Sequence, residues 1–175
     1  MSISLHAALV PGWLQILGSV RGLVDKAEAH CAEHGLDPAE LLQARLIDDM
    51  LPLAYQFKSC CVHSEGAIAG VRSGAFSPDM SEPPATLDAV AARVDGAIAA
   101  LRALDPSELE NLTGKEVSFS MQNRVLFSFT AENFLLGFSQ PNLFFHAATA
   151  YDILRMKGVP IGKRDYLGAM PVKGA

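Results

Sequence analysis

The sequence predicts an all-α protein, an up-down bundle of four long helices with a long crossover and a small extended or hairpin insert before helix four. Three observations lead to this prediction. Apolar residues recur at spacings of three and four along several long stretches, which is the period of a helix with one buried face. Segments rich in Gly, Pro and Asp separate these stretches. Only one short region alternates apolar and polar residues at the period of two that is typical of strands.

The size and charge of the chain limit the classes of protein to which it can belong. It has 175 residues, half of them apolar, so residues 1–175 can bury a sizeable core and are predicted to form a single domain. The net charge is -5 and the basic residues are scattered. This distribution argues against nucleic acid as a partner, and it leaves no polybasic patch for a membrane surface.

The expected location is the cytoplasm. The N-terminal segment lacks the basic start of a signal peptide. The richest apolar run, residues 127–145, is broken by polar residues and does not supply the roughly 20 uninterrupted apolar residues that a spanning helix needs. The three cysteines, at positions 31, 60 and 61, give no disulfide framework, which suits a reducing compartment.

The first helix is predicted to start after Ser2 or Ser4 and to run to about Ala32. Pro11 lies near its first turns and is expected to bend or delay it. Gly35 is a stop signal, because glycine readily adopts the left-handed backbone that ends many helices.

The second long helix is preceded by a short one. Asp37 and Pro38 form a start signal for a short run over residues 39–44, a cap followed by proline at the first helical position. The aspartates at positions 48 and 49 form another start signal. From there a long helix is expected to reach about Val71 and to end near Gly74.

The third helix follows a loop. Residues 73–84 contain Gly, Ser, Asp and two adjacent prolines, so they are predicted to be irregular. Thr86 is expected to cap an alanine-rich helix over residues 87–104. Asp105 and Pro106 are expected to end it.

A small hairpin or extended crossover is predicted before the fourth helix. Residues 116–121 and 124–129 flank a Gln-Asn pair, and the first of these segments alternates apolar and polar residues. Four phenylalanines in and after this region are predicted to be core residues: Phe127, Phe129, Phe134 and Phe138.

The fourth helix is predicted from about Thr130 to Lys157, with Gly158 as its cap and a kink at Pro141. It is the most apolar of the four, so it is expected to be largely buried.

The inward face of this helix carries polar residues among apolar ones. Asn142 and His146 are four residues apart, and Thr149 lies on the same face. Burial of such groups costs about 1–3 kcal/mol each when they are unpaired. They are therefore expected to pair with one another, with water, with a metal or with a ligand.

A second polar cluster lies on helix two, where Gln56, Cys60 and His63 share one face at spacings of four and three. If this face meets helix four, Gln56 and His63 converge with Asn142 and His146 in a candidate ligand-binding site. His63 and His146 are then candidate metal ligands or general bases. The alternative is that each is a hydrogen-bonded core histidine.

Three segments of the chain resemble an uncharacterised, domain-of-unknown-function branch of the DinB/YfiT-like four-helix-bundle superfamily. They are Leu-Pro-Leu-Ala-Tyr-Gln at 51–56, the helix-four segment at 140–155, and Gly-Val-Pro-Ile-Gly-Lys-Arg-Asp-Tyr-Leu-Gly at 158–168. The resemblance covers essentially the whole chain in helix order. It implies the superfamily's bundle, a homodimer, and a divalent metal such as zinc or nickel held by three histidines. One of these comes from helix two and two come from a His-x-x-x-His on helix four.

On these positions the chain departs from the superfamily's pattern. His146 resembles the last histidine, with Arg155 following it, and Asn142 stands in place of the preceding one. Gln56 best matches the histidine of helix two, with His63 as a rival. Amide oxygens are weak neutral ligands for zinc or nickel compared with imidazole. The two amides and His146 can instead form a closed hydrogen-bond network.

Three functions remain open at this point. The first is a ligand-binding or non-catalytic bundle with an altered metal site and an unknown small molecule as its partner. The second, implied by the resemblance, is a metal-dependent enzyme of the thiol-dependent transferase or isomerase type. The third is a dimeric interaction protein linked to stress.

Overall fold

The computed structural model describes residues 3–122 and 124–173. Within these residues the protein is predominantly helical but carries a small three-stranded sheet, so the all-α prediction is wrong in this respect. The helices are α1 Leu5–His34, α2 Pro38–Leu42, α3 Leu53–Val62, α4 Glu65–Ser73, α5 Leu87–Arg102, α6 Pro106–Leu112, α7 Ala131–Phe134, α8 Gln140–Met156 and α9 Lys163–Leu167. The strands are β1 Ala75–Phe76, β2 Glu116–Met121 and β3 Arg124–Thr130, and a π-helical turn, Leu135–Ser139, joins α7 to α8.

Helix α1 begins and ends close to where its capping residues predict. The Ser4 hydroxyl accepts a hydrogen bond from the Ala7 N–H at 3.1 Å, which satisfies a donor of the first turn. Gly35 ends the helix in the left-handed conformation, with φ of 63°. Pro11 lies inside the helix without ending it, and Trp13 on the inward face is fully buried.

Helix α1 is also the one helix in the described part of the chain that is long and apolar enough to cross a membrane by length and composition. Half of the 18-residue window that meets this criterion is buried inside the fold. Because a core helix of a soluble protein meets the same criterion, this is weak evidence for a membrane span.

The second long helix starts later than predicted. Leu51 precedes Pro52, and the residue before a proline disfavours helical backbone, so α3 begins at Leu53 rather than at the aspartates of positions 48 and 49. The short helix before it starts as predicted, because the Asp37 side chain accepts a hydrogen bond from the Ala39 N–H at 2.8 Å.

The second long helix is also broken into α3 and α4. Ser64 leaves the helical conformation, with φ of -119° and ψ of -92°, and its hydroxyl donates to the Cys60 carbonyl at 2.7 Å. His63 is the last residue before this break and caps the end of α3. Gly74 ends α4 as predicted, with φ of 73°.

Helix α5 begins after Thr86 as predicted, and the Thr86 hydroxyl accepts from the Ala89 N–H at 3.2 Å. Asp105 follows the end of α5 and also starts the next helix. Its side chain accepts from the Ser107 N–H at 2.8 Å and so caps the short helix α6, which the sequence analysis missed.

The predicted hairpin is present as β2 and β3, which pair antiparallel with a bulge between Phe119 and Ser120. The third strand, β1, lies inside the segment predicted to be irregular and pairs in parallel with β2. Two residues are too few to show a strand period, so the sequence could not reveal it. Phe127 on the edge strand β3 is 57% exposed, so its predicted core position is wrong.

The fourth helix is continuous over the predicted range but includes the π-helical turn directly before Pro141. Proline has no N–H to donate, and a wider turn is one way for a helix to accommodate the missing hydrogen bond. The predicted kink therefore corresponds to a change of helix type. Gly158 follows the helix with φ of 86°.

The packing of the helices sets the position of the candidate site. Helix α8 packs mainly on α3, while α1 packs mainly on α5, and α9 packs on α1. The α3–α8 contact brings the two predicted polar faces together. The sheet lies beside this contact, because Phe76 of β1 and Phe119 of β2 both pack against Phe138 of the π-helical turn.

Candidate functional site

A cavity of about 200 Å³ lies where α3, α8 and the sheet meet. Three phenylalanines form its apolar wall: Phe76, Phe119 and Phe138. They come from β1, β2 and the π-helical turn, so the small sheet and the altered helix turn both serve to build the cavity. The polar groups that line it are Tyr55, Ser59, His63, Asp79, Asn142 and His146.

A hydrogen bond between Gln56 and His146 joins α3 to α8 beside this cavity. Gln56 is almost fully buried, and its Nε2 donates to the Leu51 carbonyl at 2.8 Å. That contact fixes the orientation of the amide, so Gln56 Oε1 is the atom 2.7 Å from His146 Nδ1. Because an amide oxygen only accepts, His146 Nδ1 carries the proton. His146 Nε2 is then left with a free lone pair.

His63 lies in the same cavity as His146. The centres of the two imidazole rings are 5.6 Å apart and their planes differ by 15°. His63 also packs against Phe76 and Phe138, with ring centres 5.6 Å and 5.7 Å away. Its Nδ1 is buried and has no hydrogen-bond partner among the described residues.

Burial keeps both imidazoles neutral at pH 7. It lowers the pKa of His146 from its ordinary 6.5 to about 4. Burial, together with a smaller charge repulsion from His146, lowers the pKa of His63 to about 4. The two histidines therefore offer nitrogen lone pairs rather than positive charge.

The remaining polar residues of the helix-four face are paired with their own helix. Asn142 Nδ2 donates one of its two hydrogens to the Phe138 carbonyl at 2.8 Å, so Oδ1 and the second Nδ2 hydrogen remain for partners. Thr149 is buried, and its hydroxyl donates to the Phe145 carbonyl at 2.8 Å. The predicted closed network is thus reduced to the Gln56–His146 pair.

The loop between β1 and α5 covers the cavity and is tied to α3 by a buried lysine. Lys58 is 5% exposed, and its Nζ donates to the carbonyls of Asp79 at 2.9 Å and Ser81 at 2.6 Å. It also donates to Ser81 Oγ at 3.0 Å and forms an ion pair with Asp79 Oδ1 at 3.0 Å. Lys58 therefore fixes the wall of the cavity that Asp79 contributes.

The residues present do not fit the three-histidine metal site that the resemblance implies. Gln56 Oε1 already accepts the Nδ1–H of His146. Gln56 therefore orients this histidine and is not a metal ligand itself. Two imidazoles and the oxygen of Asn142 remain. No group of three or more His, Cys, Asp or Glu residues is placed to hold a metal ion within residues 3–122 and 124–173.

The sequence analysis named four of these residues and missed others. The structure brings Gln56, His63, Asn142 and His146 together, with Gln56 behind the cavity wall and the other three on it. Asp79 and Phe76 were missed because they lie in a segment whose composition indicates only a loop. Arg155 is directed elsewhere, since its Nη1 donates to the Ile161 carbonyl at 2.7 Å.

Fold and site together define a predominantly helical protein with a histidine-lined cavity between two long helices. The chain belongs to the family described as Domain of unknown function (DUF1993), whose model matches residues 5–167. It is similar to the crystal structure of a DinB family member protein from Shewanella denitrificans, with a TM-score of 0.81 and 29% sequence identity. That similarity covers 98% of this chain and 96% of the other. The comparison with curated proteins gave no match. The DinB-like resemblance is therefore confirmed.

Proposed function

We propose that this protein binds a small organic molecule in the cavity between His63 and His146 and that it uses the DinB-like scaffold without the superfamily's metal chemistry. The main support for this proposal is the hydrogen bond from His146 to Gln56. It engages the side-chain oxygen of the residue that best matches the superfamily's helix-two histidine, so this oxygen is not available as a metal ligand. A concave site with apolar walls and a few converging polar groups is typical of small-molecule binding.

The energetics of the polar groups support binding rather than a purely structural role. His63 Nδ1 is buried without a partner in the described structure, which costs about 1–3 kcal/mol. A histidine that served only to fill the core would be expected to have a protein partner.

The alternative function is a metal-dependent enzyme of the DinB superfamily. One observation favours it: a histidine that ligates a metal commonly donates its other ring N–H to a carbonyl, as His146 does to Gln56. In that case His146 Nε2 and His63 would be the nitrogen ligands, and Asn142 Oδ1 a weak third one.

Elemental analysis separates these two functions. The purified protein is incubated with Zn²⁺, Ni²⁺ and Mn²⁺ in turn, desalted and analysed, alongside His146→Ala and the exposed control Arg124→Ala. The proposal expects metal well below one ion per chain in all three proteins. About one ion per chain that is lost in His146→Ala alone would overturn it in favour of the enzyme.

The proposal extends to the organisation of the chain. Helices α1, α3 with α4, α5, and α7 with α8 are taken as the four helices of an up-down bundle, formed by residues 1–175 as a single domain. The protein is proposed to act in the cytoplasm as a homodimer. Light scattering on the purified chain tests the dimer, since a mass near that of one 18.7 kDa chain would contradict it.

A further inference from the structure

A larger cavity of about 540 Å³ adjoins the histidine cavity and opens to the surface. The two share Tyr55, Pro78 and Asp79 in their walls, so they lie next to each other as an inner and an outer cavity. The loop that Lys58 fixes to α3 contributes to both.

The outer cavity combines apolar side chains that face solvent with polar ones, Gln43, Arg45, Asp79, Ser81 and Glu82. Leu51 is 48% exposed, Met80 is 84% exposed and Met121 is 46% exposed, and Pro52 and Pro83 lie beside them. Covering apolar surface of this kind gains about 25 cal/mol per Å². Methionine side chains also adapt to chains of different shape.

The inner cavity, in contrast, is rich in hydrogen-bond acceptors. His146 Nε2 has a lone pair available, and Asn142 has Oδ1 as an acceptor without a partner among the described residues, while one of its two Nδ2 hydrogens is bonded to the Phe138 carbonyl. Asp79 adds a carboxylate whose Oδ1 accepts from Lys58 and Ser81, while its Oδ2 has no partner in the described part of the chain.

No lysine or arginine lines the inner cavity within the residues that the structure describes. Lys58, which holds the Asp79 wall of this cavity, directs its N–H groups to Asp79 and Ser81. An anionic group in the inner cavity would therefore meet these acceptors and no cation of the described residues, with the hydroxyls of Tyr55 and Ser59 among the uncharged donors. A hydroxyl or an amine would find acceptors on several sides.

We infer that the ligand is an elongated molecule with a hydrogen-bond-donating head, a hydroxyl or an amine, and an unbranched apolar chain. The head lies in the inner cavity against His146 Nε2, Asn142 Oδ1 and Asp79, and the chain lies along Leu51, Met80 and Met121 in the outer cavity. This inference rests on the proposed function, because it names the class of molecule that occupies the same site.

Calorimetric titration of the full chain at pH 7 with 1-octanol, octylamine and nonanoate tests the head, because each probe carries the same octyl chain on a different polar group. The alcohol and the amine are expected to bind. The carboxylate is expected to bind at least about tenfold more weakly, since it leaves acceptors facing one another. Equal or tighter binding of nonanoate would overturn the inference.

The length of the ligand's alkyl chain and two matched protein variants test whether this alkyl chain lies in the outer cavity. Affinity is expected to rise about fourfold per methylene from 1-hexanol to 1-octanol, which corresponds to burial of each added CH₂. Met121→Gln is expected to flatten this dependence. Met170→Gln is expected to leave it intact, because Met170 is similarly exposed at 52% but lies outside both cavities. If affinity depended on alkyl-chain length in the same way in both variants, the alkyl chain of the ligand would lie outside the outer cavity, and the inference would be overturned.

Failure of the inference and failure of the proposed function give different results. Binding of nonanoate that is lost in Asn142→Leu, in a protein that keeps its helical circular dichroism, would refute the donor head and leave the binding site in place. Absence of binding by every probe refutes the inference, and the metal analysis then tests separately whether the site holds a metal ion instead.

Discussion

At the scale of the residue, Gln56 determines how His146 is presented. Its amide is held by the Leu51 carbonyl, so its oxygen accepts the His146 Nδ1 proton and turns Nε2 into an acceptor. Gln56 therefore sets which nitrogen of His146 carries the proton, through a polar contact between α3 and α8.

Placing histidine at positions 56 and 142 tests this explanation. The double variant Gln56→His/Asn142→His is expected to retain about one zinc ion per chain after desalting, because it adds imidazoles beside His146 at the two positions where the resemblance implies histidine ligands. Elemental analysis measures the metal. Zinc that persists when His146→Ala is added to the double variant would show that the metal is bound elsewhere.

At the scale of the element, the site depends on short segments packed against the long helices. Strand β1 contributes Phe76, the π-helical turn contributes Phe138, and the loop after β1 contributes Asp79. Phe76 and Asp79 are each held by a specific contact. Gly70 on α4 lets Phe76 approach closely, and Lys58 on α3 holds Asp79.

Alanine at Gly70 should therefore destabilise the protein although alanine favours helices. An added Cβ would lie 3.0 Å from Phe76 Cδ2, and Phe76 is confined by Phe119, Phe134 and Phe138. Overpacking of this kind costs about 1–3 kcal/mol. Gly96→Ala on α5 is the matched control, since nothing lies within 4 Å of its added Cβ. It should stabilise by about 0.5–1 kcal/mol in urea unfolding. Equal effects in the two variants would contradict the argument.

Removal of the Lys58 ammonium should loosen the loop over the cavity. Lys58→Met keeps most of the buried stem but loses the hydrogen bonds to Asp79 and Ser81, each worth about 1.5–3 kcal/mol when a charged group is involved. Amide hydrogen exchange at residues 79–82 is expected to accelerate. The exposed control Lys115→Met should leave it unchanged, and protection that survives in Lys58→Met would show that the loop is held by other contacts.

At the scale of the whole molecule, the cavity makes stability depend on pH. His63 and His146 each have a folded-state pKa of about 4, below the ordinary value of 6.5 that applies to the unfolded chain. Between these values the unfolded state binds more protons than the folded state, so stability increases as pH rises from 4 to 6.5 and then levels off.

Acid destabilisation in this window should be reduced by removing one of the two imidazoles. Each unit by which folding lowers the pKa of a histidine contributes about 1.4 kcal/mol to the free energy of unfolding at neutral pH. In His63→Leu, the slope of unfolding free energy against pH between pH 4 and 6.5 is expected to decrease to the part that His146 contributes. Urea unfolding at several pH values measures the slope. A variant that follows the wild-type curve throughout would show that His63 is protonated in the folded protein as easily as in the unfolded chain.

Local sequence signals determined much of the secondary structure. Ser4, Asp37 and Thr86 cap helices as predicted, and Gly35 and Gly74 end them, because a cap acts on backbone groups within about four residues. The period of the apolar residues placed Asn142 and His146 on one inward face for the same local reason.

The site itself was decided by tertiary structure. Gln56 and His146 are separated by 90 positions in the chain, and no local pattern states that one accepts a proton from the other. Asp79 and Phe76 reach the cavity only because α3 and α4 hold the loop and the short strand against α8. Periodicity shows which residues face inward, but the pairing of side chains from distant segments depends on how the helices pack and on which buried polar groups must be satisfied.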